Sequence, residues 1–203
     1  MEHVNCDTSL LKQELREELV AISKAMEESI DALAHEGGCL LGTFEKIRGR
    51  FNRLETVAAS FYLQCYLAPY TEKYVDVSVA VQHLAEKRQG ALIVIERTDS
   101  LGTLLQAGIP IGALLSHSLL ESIFFPGGPL HDGAVLVRQN QIISAANVLP
   151  LSQVVVGEKK LGTRHRAAIG LSEVSDALII VVSEETGKAS FALQGHLYPI
   201  ISQ

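Results

Sequence analysis

Three polar clusters in the C-terminal two thirds of the chain carry residue types able to do chemistry, each at the end of a predicted strand or helix, where sites are built. The first is Pro129-Leu130-His131-Asp132-Gly133-Ala134, directly before the apolar run Val135-Leu136-Val137. An Asp-Gly pair is first of all a turn signal, since Asp accepts local backbone bonds and Gly supplies positive φ. The same Asp132, fixed at a strand mouth, has the chemistry to hold a divalent metal or to take a proton from a hydroxyl. His131 beside it is a ligand type, although a histidine so placed is more often satisfied by its neighbours.

The second cluster is Gly162-Thr163-Arg164-His165-Arg166-Ala167-Ala168, leading into a predicted helix. If Thr163 caps that helix, free backbone N–H groups, the positive dipole end and two guanidinium forks converge on one point, which suits a polyphosphate. The competing reading is two solvated arginines on a helix end. It is weakened because Arg at a helix N-terminus opposes the dipole and needs an anionic partner. The third cluster, Ser183-Glu184-Glu185-Thr186-Gly187, follows the apolar run Ala177 to Val182. Adjacent acids there usually form a solvated turn; alternatively, one glutamate completes a metal or arginine site built from the other two clusters. Phosphate-loop, dinucleotide, zincin and nucleophile-elbow motifs are absent from the sequence, which removes several common enzyme classes.

The elements that must position these residues fall into two parts. From Thr8 to His35, Leu11, Leu15, Leu19, Ile22, Met26, Ile30 and Leu33 recur at three and four residue steps, an amphipathic helix. After Gly37-Gly38 a second run, Phe44, Ile47, Phe51, Leu54, Ala58, Phe61 and Cys65, ends at Ala68-Pro69. Residues 1–69 therefore read as an αα-hairpin that buries its stripes against itself, the rest of the protein or another subunit. Residues 70–203 read as an α/β domain. Its predicted helices are Asp76 to Arg88, stopped at Gly90, then Ser116 to Phe124, and Arg164 to Val174, the last weakened by Gly170. Its predicted strands are Ala91 to Ile95, Ala134 to Val137, Ile142 to Val148, Ala177 to Val182, Ser190 to Leu193 and Leu197 to Ile201. Arg138-Gln139-Asn140-Gln141 is short enough for a hairpin while other connections carry helices, so the sheet is mixed.

Composition bounds the partners. The 203 residues are 47% hydrophobic and 20% charged with a net charge of -6, and neither part carries a basic nucleic-acid surface. Cys6, Cys39 and Cys65 have no C-x-x-C spacing, which predicts neither a zinc knuckle nor a disulfide framework and fits a reducing, cytoplasmic setting. The acidic beginning lacks an apolar signal region, and no apolar run reaches the roughly 18 residues of a membrane span. Export and membrane insertion are not expected.

The four runs Pro129 to Val135, Leu149-Pro150-Leu151-Ser152, Gly162 to Ala168 and Val182 to Gly187, in this order, resemble the diadenylate cyclase domain over roughly residues 71 to 203. Pro126-Gly127-Gly128-Pro129 differs slightly from the Asn-containing form of the family. The resemblance implies a mixed central sheet flanked by helices. It also implies condensation of two ATP molecules into cyclic di-AMP and two pyrophosphates, with Mg²⁺ or Mn²⁺, between two facing protomers. Asp132, Arg164 and Arg166 would be catalytic, with Asp132 at the metal and activating the 3′-hydroxyl. Gly133, Leu149, Thr163, Arg164, His165, Arg166 and Ser183 would contact the nucleotide, and His131 and Glu185 are further metal candidates. An N-terminal pair of soluble helices is similar to the sporulation-associated bacterial class, in which the hairpin steers a higher homo-oligomer such as a hexamer and restrains activity. Two other readings stay open: a catalytically silent module that binds ATP or a cyclic dinucleotide, and a structural assembly protein built around the hairpin.

Overall fold

Ala91-Leu92-Ile93-Val94-Ile95 has no polar position, so it is stable only where both faces are covered. It forms β1 (Ala91–Ile95), all five residues buried, in a computed structural model that describes residues 9–33, 40–106, 108–153 and 161–200. The other strands are β2 (Ile109–Leu114), β3 (Ala134–Arg138), β4 (Gln141–Asn147), β5 (Leu178–Val182), β6 (Ala189–Leu193) and β7 (His196–Ile200). They make one seven-stranded sheet in the order β2-β4-β3-β1-β5-β6-β7. The β1–β3 pairing is parallel and every other pairing antiparallel, which is the mixed sheet the connections predicted.

Alternation along the strands supplies two cores. Ile93, Ile95, Val135, Val137, Ile180 and Val182 face one side. There they meet Leu63 and Leu67 of α2 (Leu41–Leu67), Val77, Val81 and Leu84 of α3 (Tyr74–Glu86), and Leu120 and Ile123 of α4 (His117–Ile123). Leu92, Val94, Leu136, Ile179 and Val181 face the other, under Ala167, Ala168 and Leu171 of α5 (Thr163–Val174). Helix α4 starts as its sequence suggests, with the Ser116 hydroxyl accepting from the Leu119 N–H at 3.3 Å. The β3–β4 turn is the predicted hairpin, and Gln139 takes the positive φ. Its Asn140 Oδ1 accepts from the Glu72 N–H at 2.9 Å and the Thr71 hydroxyl at 3.1 Å, tying the segment after α2 to the sheet.

Two readings need correction, on β2 and on Cys65, while the hairpin leans on the rest of the protein as expected. Strand β2 was not predicted: Pro110, Gly112 and mostly exposed side chains hide it, and it exists because an edge strand with a register shift tolerates them. The hairpin of α1 (Ser9–Leu33) and α2 packs helix on helix, but Leu19, Met26, Ile30 and Leu33 of α1 and Phe44 and Phe51 of α2 are exposed. Ile22 is buried, and α2 leans on the sheet through its C-terminal half, because a two-helix pair has too little area to cover both stripes. Cys65 is disulfide-bonded, contrary to the absence of a disulfide framework. Spatial proximity, which sequence spacing does not report, decides such pairing. Cys6, Cys39, the Gly37-Gly38 break, the predicted helix limits Thr8 and His35, and Ile201 lie outside the described residues.

Gly170 does not interrupt α5. It faces a neighbouring loop so closely that a Cβ would lie 2.4 Å from the Pro150 carbonyl oxygen and 2.5 Å from the Ser152 nitrogen. Both are backbone atoms, which cannot swing aside. Gly170→Ala is therefore expected to destabilise the protein by about 1–3 kcal/mol through overpacking, despite alanine's higher helix propensity. A denaturant midpoint equal to or above that of the parent would show that the loop yields.

Candidate functional site

The strand pairings decide which chain ends meet. Because β1 runs parallel to β3 with Ile93 opposite Val135, the entry to β1 at Gly90 and the entry to β3 at Asp132-Gly133 share one edge of the sheet. Because β1 runs antiparallel to β5 with Ala91 opposite Val182, Ser183, Glu184 and Glu185 emerge at that same edge. The pairing of Ala134 with Asn147 brings in the end of β4 and, just beyond it, Leu149. Three of the four sequence runs thus reach one rim, and the fourth, Gly162 to Ala168, is tied to it through Arg164.

The second and third clusters are joined directly. Arg164 Nη1 donates to Glu184 Oε2 at 2.7 Å, so this guanidinium has the anionic partner that a helix N-terminus demanded. Its Nε–H is buried with no hydrogen-bond partner, as is that of Arg97, and at the rim of α5 a bound acceptor would recover the free energy this costs. Glu185 is the carboxylate whose charge acts on His165. The two acids are therefore separated: Glu184 belongs to Arg164, and Glu185 remains exposed beside the imidazole. Ser183 shapes the turn itself. Its Oγ accepts from the Thr186 N–H, and Gly187, at φ +71, returns its N–H to the Ser183 carbonyl. The solvated-turn and arginine-partner readings of this run both hold.

Arg166 points elsewhere. Its Nη2 donates to the Ser152 carbonyl at 3.2 Å, the Ser152 N–H donates to the Arg166 carbonyl at 3.0 Å, and the Ser152 hydroxyl pairs with Glu173 at 2.7 Å. Arg166 thus ties the Leu149-Pro150-Leu151-Ser152 run to α5. The Leu149 side chain is 6% exposed within the core beneath α5, so the surface it can offer a base is backbone. Thr163 is not the helix cap. Gly162 takes the extended cap conformation with no side-chain hydrogen bond, and Thr163 is the first helical residue, exposed. The first-turn N–H groups of α5 consequently carry no side-chain cap, as an anion site requires.

At the first cluster Asp132 is exposed and His131 partly buried. His131 Nδ1 is hydrogen-bonded to the Gly128 carbonyl. An N–H must occupy that nitrogen, which leaves the lone pair of the neutral ring on Nε2. Gly133 has φ +97, and a Cβ on it would lie 2.8 Å from both the Ala146 carbonyl carbon and the Asn147 oxygen. Its missing side chain makes room for β4 rather than for a ligand. Asn147, which sequence reasoning passed over, is 2% exposed. It donates to the Ala134 carbonyl at 2.8 Å and accepts from the Gly108 N–H at 3.0 Å and the Ser144 hydroxyl at 2.9 Å, stapling this rim together. A single Asn at a strand end gives no signal that distinguishes it from a loop residue. Among the described residues no three His, Cys, Asp or Glu side chains converge as a metal cage.

A mixed sheet presenting carboxylates and a basic helix N-terminus on one rim defines an α/β protein with a charged, open rim. The family profile described as DisA bacterial checkpoint controller nucleotide-binding matches residues 78–197, and that described as Diadenylate cyclase CdaS, N-terminal matches residues 2–70. The chain is 50% identical over 190 residues to Diadenylate cyclase CdaS of Bacillus thuringiensis (strain BMB171), covering 94% of each. It is also 50% identical over 173 residues to Cyclic di-AMP synthase CdaS of Bacillus subtilis (strain 168), covering 85% of this chain and 83% of that one. A Bacillus cereus crystal structure described as a hypothetical membrane spanning protein superposes with a TM-score of 0.76 at 49% identity, covering 96% and 95%. A double mutant of DacA from Staphylococcus aureus does so with 0.59 at 48% identity, covering 63% of this chain and 85% of that one. The chain belongs to the diadenylate cyclase family. Among the described residues no helix is long and apolar enough to cross a membrane.

Burial lowers the His165 pKa from its ordinary 6.5, opposed by the charge of Glu185. The unfolded chain therefore takes up this proton before the folded one does. The contribution of neutral His165 is fully present above about pH 6.5 and is lost as the pH falls from there through the lowered midpoint. His165→Gln should flatten the loss of thermal stability over that interval, and an NMR titration should place the imidazole midpoint below 6.5. A midpoint at or above 6.5 would contradict the burial argument.

Proposed function

We propose that the chain is a diadenylate cyclase that condenses two ATP molecules into cyclic di-AMP and two pyrophosphates, each active site being completed by a facing copy. The observation that carries this reading is Arg164, held against Glu184 at the rim from which Asp132 emerges, with one guanidinium N–H left unsatisfied. In each half-reaction a ribose 3′-oxygen forms a bond to the α-phosphorus of the other ATP, the bond to the bridging oxygen breaks, and pyrophosphate leaves. Asp132 receives the hydroxyl proton, for which an exposed carboxylate at a fixed strand entry is suited. Arg164 and the uncapped first turn of α5 hold the phosphates and offset charge on the departing group, with His165, Thr163 and Ser183 lining the same rim. Arg166 acts through the Leu149 to Ser152 run, whose backbone reads the base.

The donor set suits Mg²⁺ or Mn²⁺. Asp132 would hold the ion together with the substrate phosphates, with either Glu185 or the Nε2 lone pair of His131 as a further ligand, and the ion would neutralise phosphate charge when bound. The lack of a three-ligand cage among the described residues is compatible with this, since such ions are commonly held by one or two carboxylates together with substrate phosphates. Asp132→Asn keeps shape and removes the base, so it should lower the rate of cyclic di-AMP formation at least ~10²-fold while ATP still binds. Arg164→Ala should weaken ATP binding as well as rate. Mass spectrometry of products formed with ATP and Mn²⁺, beside calorimetry of ATP binding, measures both. ATP bound but never converted by the parent chain would favour the silent binding module.

Self-association of the hairpin accords with its exposed apolar side chains, Met26 and Ile30 of α1 among them. Replacing both with Glu should lower the mass measured by light scattering, and an unchanged mass would remove α1 from the assembly. The whole hairpin is the wrong deletion to make, because Ala59, Leu63 and Leu67 belong to the core of the sheet.

A further inference from the structure

Gly90 reads in the sequence as the residue that stops α3, but the structure gives it another reason to be glycine. Helix α3 ends at Glu86 with Lys87 as its cap, and the left-handed residue that turns the chain is Arg88, at φ 51. Gly90 is not among the glycines of positive φ, so any residue could adopt its backbone. What it lacks is space. A Cβ there would lie 2.6 Å from Arg164 Nη1, 2.9 Å from Arg164 Cζ and 3.0 Å from Glu184 Oε2. The guanidinium of Arg164 lies against the bare Gly90 backbone, with the Glu184 carboxylate bonded at its end. The Glu184 side chain is 63% exposed while that of Arg164 is 21% exposed. An ion pair with so solvated a partner contributes little to stability, and its evident effect is to fix a direction.

We propose that Gly90 and Glu184 are positioning residues for the reaction: Gly90 gives the Arg164 guanidinium its seat at the rim, and Glu184 sets its orientation before the triphosphate arrives. This rests on the reading above that Arg164 meets the phosphates of ATP. Neither residue needs to touch the reacting atoms. The atoms that a Cβ at position 90 would meet are the far ends of flexible side chains, so the fold can absorb the change by letting the guanidinium move. That separates the effect on Arg164 from an effect on folding.

The test is a double-mutant cycle in the full chain, with kcat and KM for cyclic di-AMP formation read separately and thermal unfolding recorded alongside. Gly90→Ala should leave the unfolding temperature near that of the parent and lower kcat/KM by roughly tenfold to 10²-fold, the scale expected when a phosphate-binding group is displaced by about 1 Å. Combined with Arg164→Ala, it should add less than about twofold, because the group it displaces is gone. Glu184→Ala carries the same test independently, should Gly90→Ala fail to fold. If Arg164→Ala is impaired but both other substitutions match the parent, or cost as much with Arg164 absent as present, the positioning role is overturned and the cyclase reading stands. If Arg164→Ala turns over like the parent, or the parent makes no cyclic di-AMP, the reading of Arg164 falls and the positioning role with it.

Discussion

The parallel pairing of β1 with β3, beside its antiparallel pairing with β5, is the constraint on which the rest of the molecule depends. It sends the entries of two strands and the exit of a third to one rim, so Gly90, Asp132 and Glu184, far apart in sequence, become neighbours in the fold. It also places this rim at the amino ends of β1 and β3, whereas open parallel sheets bind ligands at carboxyl ends. The mixed sheet makes this workable, since the antiparallel partners β4 and β5 end there and supply the Leu149 run and the acidic turn. A register slip of one residue would exchange the two core faces of β1. The interleaved apolar sets above and below the sheet therefore protect the site's geometry as well as the fold.

The rim is held by close backbone approaches more than by side-chain packing. Gly133 lies against Ala146 and Asn147, Gly108 against the Ala145 carbonyl, and Gly170 against Pro150 to Ser152. Each is a place where two segments come nearer than a Cβ permits. Asn147 then satisfies the polar groups that such crowding would otherwise leave unpaired, in a position almost fully removed from water. The loops that would handle substrate are thus fastened to rigid elements, which keeps a phosphate-binding geometry within the narrow tolerance catalysis needs.

What the sequence made legible follows from which signals are local. Unbroken apolar runs disclosed β1 and β5, the three-four spacing disclosed α1 and α2, and the turn residues of 138–141 disclosed the β3–β4 hairpin. The candidate residues reach one rim because their motifs sit at element ends, which is a local property. The rest was not local. Strand β2 forms only because β4 offers an edge, Arg164 finds Glu184 across 20 residues, and Arg166 turns away to Ser152. Gly90, Gly133 and Gly170 each looked like a break or a turn, yet all three are glycines because something else comes close. Sequence shows that a side chain is missing, and only the fold shows what fills the space.

Burial divides the labour along the rim. Arg164 is mostly covered and already engaged, while Asp132 and Glu185 are exposed. A guanidinium that is pre-oriented pays little ordering entropy when phosphates arrive, so it suits a binding role within its own chain. An exposed carboxylate remains reachable from outside the protomer. If the chain closes a ring between two nucleotides as proposed, both properties are needed at once: each ATP would be gripped firmly by one copy and yet present its 3′-hydroxyl to the phosphorus held by the other. On the proposed reading, a site lying at an open rim rather than in an enclosed cavity is therefore a requirement of the chemistry, because a pocket that closed over one ATP would exclude the second.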